Sequence, residues 1–523
     1  MSRWKRHIPI FLFCLVIAVL FSVSVVRRLP YWGGINRWHH QYLTGSTLKF
    51  TTNWYEEGFL LLKGAMVENP PGPEFGTGLK ARKFYVSYGT GSQIPVWLLA
   101  RISGNPPSVR MIQGWNLFNQ FLIGLILGWI VWSSFAGKTT RWLGLVPPAF
   151  YYFLPVSMYY HMPVYFSDQA VILWVVLYGW LYCRRFAPGG VPKSQSVLLA
   201  FVAFYGTLTD WLMLFVVAGF FGVSFIMKRR SWQWKPIIME WLPVVSASLL
   251  VALHAWYLGE WETLLGRGLL RASSAPASYG PPTPFAQKYW GEYVGWIPSI
   301  LVWAGVLTIA LYTTLFYRKR NPVPALFGFF LSLGLAFLLH TFVLRNHARE
   351  HEFSALKWQI LLALLPVLPF FIRVFQSRTV LVAGLMGSAA YLVWQWPNNL
   401  NLFEPPELEG MEAAQWLKTH AAKDEIWFGA NFEIPDNPPQ LLAISRKRVY
   451  PVQKLKDMES LFYWTGLRPA KAGLIFHGDA PGAAPDTLHP LLKNGTRVGR
   501  YTTVYVLNLP VDTTMLNLPL CRK

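Results

Sequence analysis

Residues 3–30 of the chain read RWKRHIPIFLFCLVIAVLFSVSVVRRLP. Basic residues at the start of this stretch precede an apolar run from Ile8 to Val26, which is long enough to cross the hydrocarbon core of a bilayer as a helix. Arg27 and Arg28 follow the run, and no small-residue cleavage site stands near them. The stretch therefore predicts an uncleaved membrane anchor rather than a secretory signal peptide.

Apolar blocks of this kind recur along the chain. Of its 523 residues, 53% are hydrophobic and only 14% are charged, and the mean hydropathy is +0.30. One soluble core of this length would need far less apolar surface. The pattern predicts a polytopic α-helical membrane protein with about eleven transmembrane helices. The expected spans are 8–27, 112–134, 142–162, 169–183, 195–209, 211–227, 238–257, 295–317, 323–344, 357–375 and 379–396.

The positive charge of the chain predicts its orientation in the membrane. The net charge is +22, from 47 Lys and Arg against 25 Asp and Glu, and much of the excess lies in short loops between apolar blocks. These basic loops alternate as the positive-inside rule requires, which predicts a cytoplasmic N-terminus, with Arg27 and Arg28 as the exception. We therefore expect membrane lipids and no nucleic acid among the partners. The expected location is the inner (plasma) membrane of a bacterium.

The predicted extracytoplasmic face carries the long connections, including a first outer loop at about 28–111 and the segment after residue 397. Within that last segment, Met411 to His420 has the pattern of a helix, and residues 425–428, 473–476 and 502–507 have the pattern of strands. We expect residues 1–396 to form a transmembrane catalytic domain. Residues 397–523 are expected to form a small extracytoplasmic α/β domain.

Two adjacent glutamates stand in the first outer loop, in the sequence WYEEG at residues 54–58. Carboxylates near the end of a span can stay ionised in contact with water and lipid headgroups. The apolar spacing of residues 53–66 predicts a helix lying along the interface. Because neighbouring residues on a helix point about 100° apart, only one of Glu56 and Glu57 can face a site directly. The alternative is that both acids simply begin a helix, where the helix dipole favours them.

Asp168 opens a predicted span on the same outer face, and capping of the helix is an alternative role for it. Asp210 has a similar position at another span, and capping of a tight turn is the favoured role there. Tyr85 and Tyr88 lie in an aromatic, glycine-rich loop at residues 84–95, whose backbone N–H groups can approach an anion.

The densest charged cluster beside the apolar blocks is RNHAREHEFSALK at residues 345–357. Arg345, Arg349, His351 and Lys357 of this loop suit a phosphate. His347 and His351 stand four residues apart, as zinc ligands on a helix do, but the His-Glu-x-x-His order of a metalloprotease is absent. We therefore favour anion binding over a metal site. No cofactor is expected to be required, and a divalent metal is left open.

Together these features resemble the GT-C superfamily of integral-membrane glycosyltransferases, in particular its protein O-mannosyltransferase and aminoarabinose-transferase branch. The resemblance rests on Glu56-Glu57-Gly58, on the loop from Tyr88 to Gly91, on Phe166-Ser167-Asp168 and on the loop around His351. Relatives usually carry Asp first in the acidic pair, where this chain has Glu56. They also carry a Tyr-Pro-Pro-Gly-like loop where this chain has Gly89-Thr90.

The resemblance implies that a sugar moves, with inversion, from a polyprenyl phosphate or diphosphate donor to a hydroxyl of a glycan, lipid or protein acceptor. Glu56 is then the expected general base, and Glu57 or Asp168 would orient it or the acceptor. The donor phosphate would be bound by Arg345, Arg349, His351 and Lys357, and Tyr85 and Tyr88 would stack on the sugar.

Two alternatives remain open at this stage. An O-antigen-type ligase or polymerase shares the lipid substrate but relies on arginines and a histidine in a large late loop. A transporter or flippase would call for ionisable residues deep in the spans and for broken helices in repeated halves.

Overall fold

The computed structural model describes most of the chain up to residue 371 and parts of the remainder. The described residues are 3–34, 39–69, 79, 82–135, 137, 139–184, 193–228, 234–273, 325–351, 354, 356–371, 386, 408–422, 425–430, 444–447, 449–451, 471–477, 495–498 and 502–508.

Helices dominate the described residues. The α-helices are α1 (Arg3–Arg28), α2 (His39–Asn53), α3 (Ile94–Ser103), α4 (Val109–Ser134), α5 (Val146–Phe153), α6 (Pro155–Tyr160), α7 (Ser167–Arg184), α8 (Lys193–Thr209), α9 (Leu212–Lys228), α10 (Trp234–Tyr257), α11 (Trp261–Ala272), α12 (Ala325–Val343), α13 (Arg345–Glu350), α14 (Leu356–Leu364) and α15 (Leu408–His420). A π-helical turn spans Trp54–Gly58, and 3₁₀ turns span Leu29–Tyr31, Thr140–Leu145 and Leu365–Phe371.

Most of the predicted spans coincide with described helices, but their lengths differ. Three helical stretches in the described part of the chain are long and apolar enough to cross a membrane, namely Ile8–Tyr31, Val109–Ser134 and Leu326–Val343. Shorter apolar helices occupy Ser194–Thr209, Leu212–Ile226 and Leu356–Leu368. The spans predicted at 295–317 and 379–396 lie outside the described residues, Met386 excepted, so the number of eleven stays a prediction.

The span predicted at 142–162 is broken in the structure. Its residues form a 3₁₀ turn, then α5, then α6, and Leu154 between the two helices is extended at φ −64° and ψ 135°. Pro155 follows Leu154, and a proline ring disfavours helical backbone at the residue before it. The apolar composition of the segment agrees with the burial of most of its residues, but it does not reveal this break.

Arg28, one of the two exceptions to the positive-inside pattern, is completely buried at the end of α1. Its Nε donates to the Ser24 carbonyl at 3.0 Å, and its Nη2 donates to Ser24 Oγ at 2.9 Å and to Gln120 Oε1 at 2.8 Å. Its Nη1 donates to the Met158 carbonyl at 3.2 Å. A buried guanidinium is costly unless its donors find acceptors, and these four hydrogen bonds serve four of its five N–H groups.

Two compact units divide the chain, and each is described by itself. The first contains residues 1–32, 86–95 and 113–404, and the second contains 33–85, 96–112 and 405–523. In the first unit α12 packs along α9, and α8 packs against both α7 and α10. The second unit joins much of the predicted first outer loop to the C-terminal segment, and the domain boundary at 396 stays a prediction.

The second unit contains the helix and the three strands that the C-terminal sequence pattern predicts, and two further short strands. Strands β1 (Ile426–Ala430), β2 (Val449–Pro451), β3 (Lys471–His477), β4 (Gly495–Arg497) and β5 (Thr502–Asn508) form one sheet in the order β2-β1-β3-β5-β4. The β1 strand is parallel to β2 and β3, whereas β5 is antiparallel to β3 and β4. Helix α15 covers the sheet, with Leu417 packed in a core that includes Trp427 and Ile475.

Candidate functional site

The acidic pair lies on the π-helical turn that follows α2, in the second unit. The predicted helix over 53–66 is wrong, because α2 ends before the pair and Gly58, at φ +103°, ends the π turn. Trp54 fixes the turn, since its ring is buried and its Nε1 donates to the Ala65 carbonyl at 2.7 Å. Turns of the π type are rare and frequently occur at functional sites.

Glu57 is held in a buried ion pair with Arg82. The two guanidinium nitrogens Nη1 and Nη2 of Arg82 donate to Oε2 and Oε1 of Glu57 at 2.9 and 3.0 Å. The side chains are 0% exposed for Arg82 and 7% exposed for Glu57. Arg82 also donates to the Asn69 carbonyl at 2.6 Å. Both carboxylate oxygens of Glu57 are therefore occupied, which favours a structural role.

Glu56 has a different environment, with a side chain that is 44% exposed. The Nε of Arg446 donates to its Oε2 at 2.9 Å, and Nη2 lies 2.7 Å from the same oxygen. Nη1 of Arg446 donates to Oδ1 of Asn53, the last residue of α2, at 2.8 Å. Among the described residues, hydrogen bonds reach only Oε2 of Glu56. Its Oε1 is thus the carboxylate oxygen of the pair that is open to an incoming hydroxyl.

Asp168 lies in the first unit, together with the late charged loop. Its Oδ1 is 3.3 Å from Nε2 of His347, on α13, and its Oδ2 accepts from Ser167 Oγ at 3.4 Å. Burial, together with the charges of Arg271 and Lys357, lowers the pKa of His347 well below its usual range. The imidazole is therefore neutral near pH 7, and its contact with Asp168 is a hydrogen bond rather than an ion pair.

Lys357, at the start of α14, is buried beside these groups. Its Nζ donates to Ser354 Oγ at 2.7 Å and lies 2.8 Å from Nδ1 of His340. It also interacts electrostatically with Asp168 and Asp210. The ammonium thus favours the charged form of the neighbouring Asp168 carboxylate, in addition to any role in binding an anion.

Asp210 is the second carboxylate of this cluster. Its Oδ1 accepts from the Leu212 N–H at 2.7 Å, which confirms the capping role predicted for it. Burial, with the negative charge of Asp168 adding to it, raises the pKa of Asp210 to about 8. The sequence pattern does not indicate that Asp210 and Asp168 interact, because the two residues stand at the starts of different helices.

Two arginines that the sequence pattern does not single out reach the aromatic loop from α11. Arg271 lies over the ring of Tyr88, with its Cζ 4.4 Å from the ring centroid, and its Nη1 donates to the Ser87 carbonyl at 3.1 Å. Arg267, one turn earlier, donates through Nη1 to Ser87 Oγ at 2.7 Å. Two guanidinium groups therefore meet at Ser87, and guanidinium is well suited to bind phosphate.

The glycines of the aromatic loop are explained by close packing. A Cβ atom at Gly89 would lie 2.2 Å from the Leu208 carbonyl oxygen, and one at Gly91 would lie 2.5 Å from Thr209 Oγ1. The Gly91 N–H donates to the Leu208 carbonyl at 3.0 Å. This N–H is therefore engaged by the end of α8, which differs from the anion-binding use predicted for the loop.

The remaining predicted residues occupy varied positions. Tyr85 belongs to the second unit, where its ring lies 5.8 Å from that of Phe50, whereas Tyr88 belongs to the first unit and is buried. His351 is half-buried, with its ring 4.7 Å from that of His347. Arg345 is exposed at the start of α13, and the side chain of Arg349 lies outside the described residues. In the described part of the chain, no group of three or more His, Cys, Asp or Glu residues is arranged to hold a metal ion.

Solved structures of ArnT and of an archaeal oligosaccharyltransferase match nearly the whole chain, so the chain shares their fold, as the resemblance predicts. ArnT from Cupriavidus metallidurans in its crystal structure bound to undecaprenyl phosphate is 12% identical with a TM-score of 0.55, covering 97% of this chain and 99% of that chain. The apo structure of ArnT is 13% identical with a TM-score of 0.57, covering 99% and 100%.

The archaeal oligosaccharyltransferase AglB from Archaeoglobus fulgidus, in complex with an inhibitory peptide and a dolichol-phosphate, also has this fold. It is 11% identical with a TM-score of 0.55, covering 91% of this chain and 70% of that chain. No protein-family model and no curated protein sequence matches the chain.

Proposed function

We propose that this protein is a membrane glycosyltransferase that moves a sugar from a polyprenyl phosphate or diphosphate donor to an acceptor hydroxyl on the extracytoplasmic face. The observation that carries the proposal is the shared fold with ArnT bound to undecaprenyl phosphate, over 97% of this chain. The second neighbour, AglB, is an oligosaccharyltransferase in complex with a dolichol-phosphate. Similar lipid phosphates in two structures of this fold support a donor of the same chemical class.

Glu56 is the general base in this proposal. A base needs an oxygen that the acceptor hydroxyl can reach, and Oε1 of Glu56 meets this condition among the described residues, whereas both oxygens of Glu57 are held by Arg82. The hydroxyl proton passes to Glu56 as the acceptor oxygen attacks the anomeric carbon. The bond from that carbon to the phosphate oxygen breaks, the polyprenyl phosphate leaves with the electron pair, and one displacement inverts the anomeric centre.

The leaving phosphate gains negative charge, which cations can stabilise. Arg267 and Arg271 of the first unit are our candidates, because both reach Ser87 and one lies over an aromatic ring. Arg345 is exposed and remains available as an outer cation. Lys357 and Asp168 are assigned to the buried cluster around His347, where they orient the late loop. The acceptor in the proposal is a glycan, lipid or protein hydroxyl.

The test is acceptor-dependent release of polyprenyl phosphate by the purified full chain in lipid nanodiscs. The donor probes are undecaprenyl phosphates carrying a radiolabelled pentose or hexose, and the acceptor probes are extracted envelope glycolipids and, separately, peptides. We expect release with at least one pair of probes, and a fall of about 10²- to 10⁴-fold in kcat on Glu56→Gln.

Glu262→Gln, an exposed carboxylate at the start of α11, is the matched control and is expected to keep wild-type turnover. Full activity of Glu56→Gln would remove the proposed base and favour a ligase. Movement of the intact lipid-linked sugar across the bilayer, without release of polyprenyl phosphate, would favour a flippase.

A further inference from the structure

Arg446 stands on the short described segment 444–447 of the C-terminal region, 390 residues from Glu56 in the sequence. Its backbone has φ +56°, in the left-handed region that residues other than Gly, Asn and Asp seldom occupy. Such a conformation is strained and persists where surrounding contacts impose it. We therefore attribute this backbone conformation to the side-chain contacts of Arg446.

Those contacts fix the Glu56 carboxylate from one side. Nε and Nη2 both approach Oε2, and Nη1 is tied to Asn53, whose own Nδ2 donates to the Val67 carbonyl at 2.9 Å. The guanidinium is thus anchored to the end of α2 independently of Glu56. A planar group held at two points orients a carboxylate more strictly than a single ammonium does.

The two arginines also divide the charge of the acidic pair. Adjacent carboxylates repel each other, and each one here has its own guanidinium, Arg82 for Glu57 and Arg446 for Glu56. The first pair closes both oxygens of its acid, whereas the second engages one oxygen. The Glu56 carboxylate is therefore charge-compensated and oriented by Arg446, yet its Oε1 stays open.

We infer that Arg446 is a positioning residue for Glu56, so that the C-terminal segment supplies a part of the site that the membrane region lacks. This inference rests on the proposed function, in which Glu56 accepts the proton of the acceptor hydroxyl. It assigns the C-terminal segment a direct role in turnover. A carboxylate that loses its anchor samples other rotamers, and misplacement of a reacting group by about 1 Å can cost about 10²-fold in rate.

The test uses Arg446→Gly, Arg446→Lys and Arg446→Gly/Glu56→Gln in the full chain, with the same nanodiscs and probes. Glycine adopts positive φ freely, so Arg446→Gly removes the guanidinium without adding backbone strain, and its thermal midpoint is expected to stay near that of the wild type. We expect kcat to fall about 10- to 100-fold with the KM for the undecaprenyl-phosphate probe within about twofold. Arg446→Lys is expected to recover part of the loss.

The decisive comparison is the double variant. If Arg446 acts through Glu56, Arg446→Gly causes no further loss once Glu56 is Gln. If the loss in the double variant equals the product of the two single losses, or if Arg446→Gly keeps the wild-type kcat, the proposed role of Arg446 is overturned. An inactive Glu56→Gln would still support Glu56 as the base in either case. Full activity of Glu56→Gln would instead refute Glu56 as the base, and the positioning role of Arg446 would be refuted with it. No release by the wild type with any probe pair would overturn the proposed function itself.

Discussion

Replacing Arg82 by methionine is expected to destabilise the protein, whereas replacing Glu56 by glutamine is expected to leave its stability nearly unchanged. The Arg82 and Glu57 side chains are 0% and 7% exposed, and two hydrogen bonds of 2.9 and 3.0 Å join them. Removing one partner of such a pair leaves a buried charge without compensation, which costs about 3–5 kcal/mol. The pair of Arg446 with Glu56 is more open, at 18% and 44% exposed, so replacing Glu56 by glutamine is expected to cost only about 0–1 kcal/mol.

The assay is the thermal unfolding midpoint of each purified variant in one detergent, followed by tryptophan fluorescence. Arg82→Met is expected to lower the midpoint most, and Glu57→Gln/Arg82→Met is expected to recover part of the loss because no buried carboxylate remains. Glu56→Gln is the control. A wild-type midpoint for Arg82→Met would refute the structural role of the buried pair. A Glu57→Gln variant that unfolds like the wild type but loses sugar transfer would refute it too, since the roles of the two glutamates would then be exchanged.

Three further predictions concern the first unit. The pKa of Asp210 is raised from 3.8 to about 8, so its carboxyl group favours folding when protonated, and this contribution to stability is lost as the pH rises from about 4 to about 8. Asp210→Asn is therefore expected to flatten the fall of the thermal midpoint over that pH range. An unchanged slope of midpoint against pH would contradict this prediction. Gly89→Ala is expected to lose about 1–3 kcal/mol of stability because its Cβ would meet the Leu208 carbonyl, whereas Gly266→Ala, with open space around it, keeps the wild-type midpoint or exceeds it. Arg271→Ala is expected to weaken the binding of undecaprenyl phosphate by about 10- to 100-fold. The affinity is measured by native mass spectrometry, with Arg184→Ala as the control variant. Equal affinity in both variants would exclude Arg271 as a phosphate ligand.

The sequence predicts the membrane region well, because apolar composition and length are local properties that the fold preserves. The starts of α7 and α9 and three of the five strands, β1, β3 and β5, lie within a few residues of their predicted positions, whereas β2 and β4 were not predicted. The break before Pro155 was missed since the surrounding residues are uniformly apolar, although the proline itself is a signal for it. The helix predicted after Asn53 was wrong because apolar spacing does not distinguish a helix from turns closed by Gly58.

The site is harder to predict, since its charges are paired across long sequence distances. His347 approaches Asp168, which the sequence predicts at the outer end of a span. The partners Arg82 and Arg446 have no local pattern that connects them to the glutamates, 25 and 390 residues away. The same is true of Arg271, which lies 184 residues beyond Ser87. An amphipathic helix with two arginines one turn apart is the signal in α11 that could have suggested its role.

The buried guanidinium of Arg28 has a consequence for the order in which the protein assembles. Helix α1 is synthesised before α4 and α6, yet two of the acceptors of Arg28, Gln120 and Met158, belong to those later helices. Until both helices exist, that charge can be satisfied only by Ser24, water and lipid headgroups. We therefore expect the first helix of the sequence to reach its final depth only after the sixth has joined it, and nascent chains shorter than this to hold α1 loosely in the bilayer.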